Sequence, residues 1–276
     1  MESGDGRPTD HIVEMEGISK RFGEVVALED VTLRLRRNEV LALAGDNGAG
    51  KSTLIKCLAG ALRPDSGTIR IDGEVVTIES PRDAKRRGIE TTFQDLAVAG
   101  NLTVAQNIFL GREQVTGPDS ILGILDKGSM RERARELLED LEIDVDVDAK
   151  VSNLSGGERQ LVAISRTLLS EPKIVIMDEP TSALSVEGAD RVLDLIGRMQ
   201  DQGISIILIS HNLDYVRRAA DRIQVLYHGQ DAGVIEDSDV DREEIVSRMI
   251  AGLPEDERVE EDGRSEEDES GDAVSA

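Results

Sequence analysis

Apolar and polar residues alternate through the first part of the chain, a period typical of half-buried β-strands. Residues 11–44 show this alternation and are interrupted by a turn at Phe22-Gly23-Glu24. A second alternating pair, residues 67–71 and 75–78, turns at Asp72-Gly73, a dipeptide favoured in tight hairpins. The pattern predicts an antiparallel sheet in this part of the chain.

Helical periodicity replaces the alternation from residue 97 to residue 153. It is clearest where four apolar residues fall at i, i+3, i+4 and i+7: Ala134, Leu137, Leu138 and Leu141. Afterwards strands and helices alternate, with strands at 174–177 and 204–209, a helix at 186–200 and a helix from Leu213. This alternation predicts a parallel sheet covered by helices, and therefore an α/β fold.

A glycine-rich segment lies between an apolar run at residues 40–44, which predicts a buried strand, and a helical pattern at residues 52–61. It reads Gly45-Asp46-Asn47-Gly48-Ala49-Gly50-Lys51-Ser52-Thr53. The glycines allow backbone N–H groups to converge on an anion, while Lys51 would reach the β- and γ-phosphates and Ser52 would hold Mg²⁺. An ordinary glycine-rich turn is the alternative, but the strand-turn-helix context favours nucleotide binding.

Two adjacent carboxylates, Asp178 and Glu179, follow the apolar run at 174–177. Ligands of open α/β sheets bind at the carboxyl ends of strands. We therefore expect Asp178 to hold Mg²⁺, directly or through water, and Glu179 to polarise the water that attacks the γ-phosphate. The alternative is that the two acids merely start a loop.

Another candidate anion site lies at Ser155, Gly156 and Gly157, just before a strongly helical run at 161–169. A serine N-cap followed by two glycines leaves backbone N–H groups exposed at a helix start. Since the phosphate loop already covers one side of a nucleotide, we expect this site to meet the nucleotide bound by a second copy. The spacing therefore predicts a homodimer, with a capped helix that binds no ligand as the alternative.

Composition restricts the partners of the chain. Acidic residues number 56 against 32 basic residues, the net charge is −24, and aromatic residues make up 2%. Nucleic acid is therefore not expected as a partner. Acidic residues occur along the whole chain, and their mutual repulsion is screened at high salt. This indicates a salt-rich, halophilic cytoplasm; an acidic protein of ordinary cytoplasm is the alternative.

The two ends of the chain and its single cysteine indicate which segments are disordered and where in the cell the protein is located. Residues 254–276 carry eleven acids and two arginines and predict a disordered tail, with an interaction role as the alternative, and residues 1–10 are also expected to be disordered. The single cysteine, Cys57, excludes an intrachain disulfide and is expected in the core. No secretory signal and no apolar stretch near the roughly 18 residues of a membrane span are found. We expect an intracellular protein that reaches the membrane through a partner.

With these motifs in this order, the chain resembles the ATPase subunit of ATP-binding-cassette (ABC) transporters over residues 11–250. The family motifs fall on the phosphate loop at 45–53, the glutamine loop at Gln94, the signature at 154–158, the acidic strand at 174–179 and the switch histidine at His211. The resemblance implies a P-loop NTPase (RecA-like) core with an antiparallel β subdomain and an inserted α-helical subdomain. The ATPase domain would span 11–253, with the insertion at about 97–153.

The resemblance also implies roles for residues outside the three segments analysed first. Gln94 would contact the metal or the attacking water and report to a membrane subunit, and His211 would contact the γ-phosphate and order Glu179. Phe22 matches the aromatic residue that stacks on adenine, with simple packing as the alternative. Ser185 stands where the family usually has aspartate; either residue can cap the next helix, but the charge that helps to couple two nucleotide sites is missing.

Residues 93–113 and 209–212 are similar to the monosaccharide-import branch of the family, the ribose, xylose and fructose type. This resemblance implies an ATPase that binds ATP and Mg²⁺ between two copies at the cytoplasmic face of the cell membrane. Its partners would be membrane-spanning permease subunits and, indirectly, an extracytoplasmic solute-binding protein. Import of another small solute, export, and a soluble ATP-dependent switch without transport are the alternatives.

Overall fold

The computed structural model describes residues 10–92, 98–115, 125–236 and 241–252. The strands of the described residues are β1 (His11–Phe22), β2 (Val25–Arg36), β3 (Val40–Gly45), β4 (Ser66–Ile71), β5 (Glu74–Val76), β6 (Ile89–Thr92), β7 (Ile174–Asp178), β8 (Ser205–Ile209), β9 (Arg222–Tyr227) and β10 (Gln230–Ile235). The helices are α1 (Lys51–Leu58), α2 (Pro81–Arg86), α3 (Val104–Ile108), α4 (Lys127–Asp140), α5 (Gly156–Leu168), α6 (Val186–Asp201), α7 (Leu213–Ala219) and α8 (Arg242–Ala251).

An antiparallel sheet with the order β2-β1-β4-β5 forms the first layer, as the alternating pattern predicted. Met15 lies opposite Leu33 on one neighbouring strand and Ile69 on the other, and all three side chains are buried. Because successive side chains of a strand point to opposite faces, this register places one apolar face of the sheet against the core.

A second sheet with the order β10-β9-β3-β8-β7-β6 forms the centre of the fold. Its neighbours are parallel except for β10, which runs antiparallel to β9. All residues of β3 are buried: Val40, Ala42 and Ala44 pack in the core with the helices, whereas Leu41 and Leu43 pack in the core with the antiparallel sheet. Burial on both faces explains why β3 is a continuous apolar run. The α/β core with an antiparallel sheet is confirmed.

Helices α3 to α8 cover the face of the central sheet opposite the antiparallel sheet, whereas α1 and α2 pack in the core with the antiparallel sheet. The apolar face predicted for α6 is fully buried there, through Val192, Leu195, Ile196 and Met199. Between residues 98 and 153, α3 and α4 pack into the same core through Val104, Ile108, Met130 and Ala134. The predicted bounds of the insertion at 97–153 reach beyond the described residues and stay a prediction. Among the described residues, no helix is both long and apolar enough to span a bilayer.

Several elements differ from the sequence prediction. Helix α1 ends at Leu58 and not at residue 61, because Gly60 adopts a left-handed conformation (φ 72°) and the N–H groups of Ala61 and Leu62 turn back to the Lys56 carbonyl. The pattern also missed five elements: α2, β6, β9, β10 and α8. Strands β6 and β9 carry polar residues at buried positions, including Glu90 and Arg222, so their hydrophobic pattern is weak.

Candidate functional site

The loop between β3 and α1 has a backbone that only glycine accommodates at two positions. Gly45 has φ 148°, and a Cβ atom there would lie 2.5 Å from the Leu226 carbonyl oxygen. Gly50 has φ 102°, and a Cβ atom there would lie 2.8 Å from the Ala27 carbonyl oxygen. Strands β9 and β2 therefore press against the loop, and the glycines are required by this close approach.

The loop delivers the N-terminus of α1 into a cavity. Gly50 is the N-cap residue of α1 and provides no side-chain acceptor for the first-turn N–H groups. Such groups, together with the helix dipole, favour an anion. Lys51 folds back over the loop, and its Nζ donates to the carbonyl oxygens of Gly45 (2.7 Å) and Asp46 (3.0 Å). Burial lowers the pKa of Lys51, while Glu179, Asp46 and Asp178 oppose this shift.

The carboxyl end of β7 brings the two predicted acids to the same edge of the sheet. Asp178 ends β7 opposite Ile209 of β8, and burial followed by the neighbouring charge of Glu179 raises the pKa of Asp178. Glu179 has a left-handed backbone (φ 51°), and its N–H donates to the Ile209 carbonyl at 2.9 Å. This conformation is uncommon for a residue with a side chain and is a form of local strain typical of functional sites.

Glu179 and His211 are in direct contact. The His211 backbone N–H donates to Glu179 Oε1 at 2.9 Å. The ring Nδ1 of His211 lies 2.8 Å from Glu179 Oε2 but makes no hydrogen bond to it, so Oε2 is a buried acceptor without a donor among the described groups. The His211 side chain is 75% exposed, whereas that of Glu179 is 16% exposed. The histidine ring is therefore open to solvent, whereas the carboxylate is enclosed.

These residues surround one cavity of about 360 Å³. Its lining consists of Ala27, Asn47, Gly48, Ala49, Gly50, Lys51, Ser52, Thr53, Asp178, Glu179, Ile209 and His211. The structure thus brings most of the phosphate loop together with the acid pair and the histidine. The sequence did not indicate that Ala27 and Ile209 line this cavity. Both side chains are apolar and carry no group that would bind a ligand; Ala27 lies in β2 and Ile209 ends β8.

The Ser155 segment lies apart from this cavity. Ser155 is the N-cap of α5, where its Oγ accepts from Glu158 N–H (3.2 Å) and its own N–H donates to Glu158 Oε2 (2.7 Å), forming a capping box. A Cβ atom at Gly157 would lie 2.9 Å from the Cα of Gly188. None of Ser155, Gly156 and Gly157 lines the cavity.

The remaining predicted residues have different outcomes. Phe22 lies at the tip of the β1–β2 hairpin, is 47% exposed and has Lys20 Nζ 5.8 Å from its ring centroid, and it does not line the cavity. Gln94 lies outside the described residues. Ser185 caps α6 by accepting from Gly188 N–H at 3.2 Å. The serine thus performs the capping that was expected of either residue.

Comparison with known proteins identifies the family of this chain. The model of the family described as ABC transporter matches residues 28–182. The chain is 43% identical to the ribose import ATP-binding protein of Rubrobacter xylanophilus, covering 87% of this chain and 47% of that one. It is 44% identical to the xylose/arabinose import ATP-binding protein of Sulfolobus acidocaldarius, covering 79% and 86%, and 42% identical to the fructose import ATP-binding protein of Rhizobium meliloti, covering 86% and 93%.

The chain spans about half the length of several of these curated relatives, including the ribose protein, and most of the length of others. Among solved structures, it is similar to a nucleotide-free ATP-binding cassette from an ABC transporter, with a TM-score of 0.72, 28% identity and coverage of 87% of this chain and 95% of that one. It is also similar to the ADP conformation of another such cassette, with a TM-score of 0.73, 29% identity and coverage of 88% and 96%. The chain therefore belongs to the ABC transporter family, as an ATP-binding cassette.

Proposed function

We propose that this chain is the ATP-hydrolysing subunit of an ABC importer for a monosaccharide, a pentose or a hexose. The observation that carries the ATPase proposal is the shared cavity of Lys51, Ser52, Asp178, Glu179 and His211. The sugar is supported by the relatives, which are named as import proteins for ribose, xylose or arabinose, and fructose. Nothing in the proposed mechanism requires this chain to contact the sugar.

The cavity residues fit a magnesium nucleotide. Glu179 Oε2 is buried and accepts no hydrogen bond from the described residues, and the burial of Asp178 raises its pKa, so both carboxylates gain from a nearby cation. The uncapped first turn of α1 offers N–H groups to a phosphate. Ser52 and Asp178 would be the protein ligands of Mg²⁺, with phosphate oxygens and water completing the shell. When bound, Mg²⁺ neutralises charge that develops on the phosphates.

The side chains have separate tasks in this proposal. The loop from Gly45 to Thr53 cradles the phosphates, and Lys51, at present bonded to the loop carbonyls, turns its ammonium group towards them. Glu179 polarises and orients the attacking water, and His211 contacts the γ-phosphate while its backbone N–H holds Glu179. Gln94, which follows β6, contacts the metal or the water.

A second copy completes the site in this proposal. The capped N-terminus of α5 with Ser155, Gly156 and Gly157 lies outside the cavity of its own subunit and would close over the nucleotide of the other copy. The exposed ring of Phe22 would stack on the adenine. A homodimer that closes on ATP and opens after hydrolysis would convert a local phosphate event into a rigid-body motion.

Membrane-spanning permease subunits would receive this motion at the cytoplasmic face of the cell membrane. A cavity of about 300 Å³ lies beside the end of β6, the strand that ends two residues before Gln94, and its lining includes the polar residues Lys85, Glu90, Arg112 and Gln160. This groove is a suitable docking position for a permease loop, because its lining includes Thr91 and Thr92, the last described residues before Gln94 in the sequence. An extracytoplasmic solute-binding protein would deliver the sugar to the permease.

The variant Glu179→Gln tests the ATPase proposal. Turnover should be abolished, while ATP stays bound and the dimer is trapped, as measured by phosphate release and by light scattering with ATP and Mg²⁺. Glu187→Gln is the matched control, because Glu187 is an exposed residue that pairs with Arg191. Near-normal hydrolysis by Glu179→Gln would overturn the role of Glu179.

The sugar proposal needs the whole transporter. Permease subunits reconstituted with this chain should show ATPase activity that rises when a ribose-, xylose- or fructose-loaded binding protein is added. Stimulation by a non-sugar solute only would contradict monosaccharide import and leave the ATPase proposal standing.

A further inference from the structure

A buried carboxylate, that of Glu90, lines the groove proposed for a permease loop but has no role in nucleotide binding or hydrolysis in the function proposed above. Glu90 lies in the middle of β6 and is 4% exposed, although the strand runs Ile-Glu-Thr-Thr. Buried acids are rare unless they are paired, because removing a charge from water is costly. The partners of Glu90 therefore indicate why it is there.

Glu90 is shared by three other segments of the chain. Arg112, in the turn after α3, donates to Oε1 at 2.6 Å. The hydroxyl of Ser170, just after α5, lies within hydrogen-bond distance of the same oxygen, at 2.8 Å. Lys85 of α2 lies 3.1 Å from Oε2. One carboxylate thus joins β6 to α2, to the region of α3 and to the end of α5.

Two of these segments, β6 and α5, are connected to parts of the proposed nucleotide site. Glu90 pairs in register with Val175 of β7, the strand that ends in Asp178, and β6 ends at Thr92, two residues before Gln94 in the sequence. Helix α5 begins at the Ser155 segment and ends just before Ser170. Arg112 is tied to α3, because its N–H donates to the Phe109 carbonyl at 2.7 Å.

The exposure of its charged partners indicates that Glu90 orients the segments around it more than it stabilises the fold. Its cationic partners are partly exposed, Arg112 at 29% and Lys85 at 53%, so water solvates them if the carboxylate loses its charge. Breaking an ion pair is severely destabilising when the remaining charge is buried. If Glu90 is neutralised, the charges that remain, on Arg112 and Lys85, are in contact with water. What a neutral side chain would lose is the directional, charge-assisted bond to Arg112.

We propose that Glu90 is a positioning residue, which holds the α3 region and α5 against β6 and thereby sets where Ser155 to Gly157 meet the nucleotide of the second copy. This inference rests on the proposed ATP-dependent dimer. Glu90 itself touches no nucleotide in this proposal. Its loss should therefore affect closure of the dimer and leave the first binding step, on the phosphate loop, intact.

The first test measures dimer closure without hydrolysis. In the Glu179→Gln background, Glu90→Gln should weaken ATP-dependent dimerisation by about tenfold, measured by sedimentation at several protein concentrations. ATP affinity of the monomer, measured with a fluorescent nucleotide at low protein concentration, should stay within about twofold. In the chain with Glu179 intact, kcat should fall by about 10- to 100-fold, the size expected for misplaced catalytic groups.

Arg112 provides the second arm of the test. Arg112→Met should reproduce the dimer defect and also lower thermal stability, because among the described residues the buried Glu90 then keeps only Lys85 as a cationic partner. Arg112→Lys should restore part of the dimer affinity, and the dimer affinity of Glu90→Gln combined with Arg112→Met should be no worse than that of either change alone. Asp190→Asn is the control, because it removes a comparable 2.7 Å ion pair with Arg218 on the surface of α6 and α7. It should leave dimer affinity and kcat unchanged.

Three outcomes would overturn the inference: unchanged dimer affinity and kcat in Glu90→Gln, losses of Glu90→Gln and Arg112→Met that simply add, or a loss of monomer ATP affinity that parallels a loss of thermal stability. The last would mean that Glu90 only stabilises the fold. Absence of ATP-dependent dimerisation in the Glu179→Gln chain with Glu90 intact would instead contradict the proposed function, so the two failures are distinguishable.

Discussion

Gly157 of α5 packs directly against Gly188 of α6, so closely that a Cβ atom at Gly157 would lie 2.9 Å from the Gly188 Cα. The sequence alone suggested that Gly157 is a glycine in order to expose N–H groups to an anion. The structure adds an independent reason, since the two helix starts can approach only where neither carries a side chain on the facing side. Replacing Gly157 therefore disturbs packing whether or not a nucleotide binds.

Gly157→Ala should destabilise the protein by about 1–3 kcal/mol, the usual cost of forcing extra volume into a packed contact. Urea unfolding without nucleotide measures this. Gly188→Ala should cost less, because its Cβ atom would meet the Gly157 Cα at 3.4 Å.

Gly197→Ala is the matched control in α6, the helix of Gly188, because among the described residues no atom outside the neighbouring backbone of α6 lies within 4 Å of the added Cβ. It should stabilise α6 by about 0.5–1 kcal/mol through helix propensity. Equal stabilities of Gly157→Ala and Gly197→Ala would contradict the packing account of Gly157.

His211→Ala should separate ring chemistry from backbone positioning. The backbone N–H of residue 211 remains available to Glu179 Oε1, so the carboxylate keeps that bond, whereas the ring is lost. We expect kcat for ATP hydrolysis to fall by about 100-fold or more, with ATP affinity nearly unchanged. His228→Ala is the control, since His228 packs against Tyr227 and does not line the cavity. A small effect on kcat would argue against a role for the His211 ring.

The buried ion pair between Glu39 and Arg222 should be important for stability. Arg222 Nε donates to Glu39 Oε1 at 2.5 Å, and both side chains are at least 93% buried. Glu39→Ala should cost about 3–5 kcal/mol in chemical unfolding, because it leaves a buried guanidinium without its main partner.

The exposed pair of Asp190 and Arg218 is the comparison for that variant. Asp190→Ala should change the free energy of unfolding by less than about 1 kcal/mol, because water screens exposed ion pairs. Similar losses in Glu39→Ala and Asp190→Ala would show that burial does not govern the Glu39 contact.

Cys57 should make stability depend on pH in the alkaline range. Burial raises the pKa of this thiol from its ordinary 9.0 to about 11, so the folded chain holds the proton that the unfolded chain releases first. Stability is therefore fully retained below about pH 9 and is lost as the pH rises from about 9 towards 11.

The difference in unfolding free energy between the unmodified chain and Cys57→Ala, measured from pH 8 to 10.5, isolates this effect from the titration of tyrosine and lysine. The difference should shift steadily against the cysteine form above pH 9. A constant difference over this range would contradict the assigned pKa. The folded thiol should also react slowly with thiol reagents at pH 8.

Local pattern was sufficient for the elements whose signal lies within a few consecutive residues. The apolar run of β3, the periodic face of α6 and the glycine-rich loop at 45–53 specify their own structure through side-chain period and backbone freedom. The acids at 178–179 could be placed at the edge of the sheet because parallel strands end together. The role of His211, by contrast, was predicted only from the family resemblance.

Tertiary structure decided the features that depend on partners distant in sequence. Strand β9 escaped prediction because Arg222 and Gln224 are polar, and they are buried only because Glu39 and the Thr32 carbonyl bond to them from about 180–190 residues away. Glu90 is likewise a buried polar residue of a strand, β6, whose partners Arg112 and Ser170 lie in other segments. The sequence by itself determined the chemistry of the phosphate loop and the acid pair, since both are contiguous. Only the folded chain determined which atoms of Glu179 and His211 meet, that Gly157 packs against Gly188 and which distant residues bond to Glu90, because each depends on the arrangement of separate elements in space.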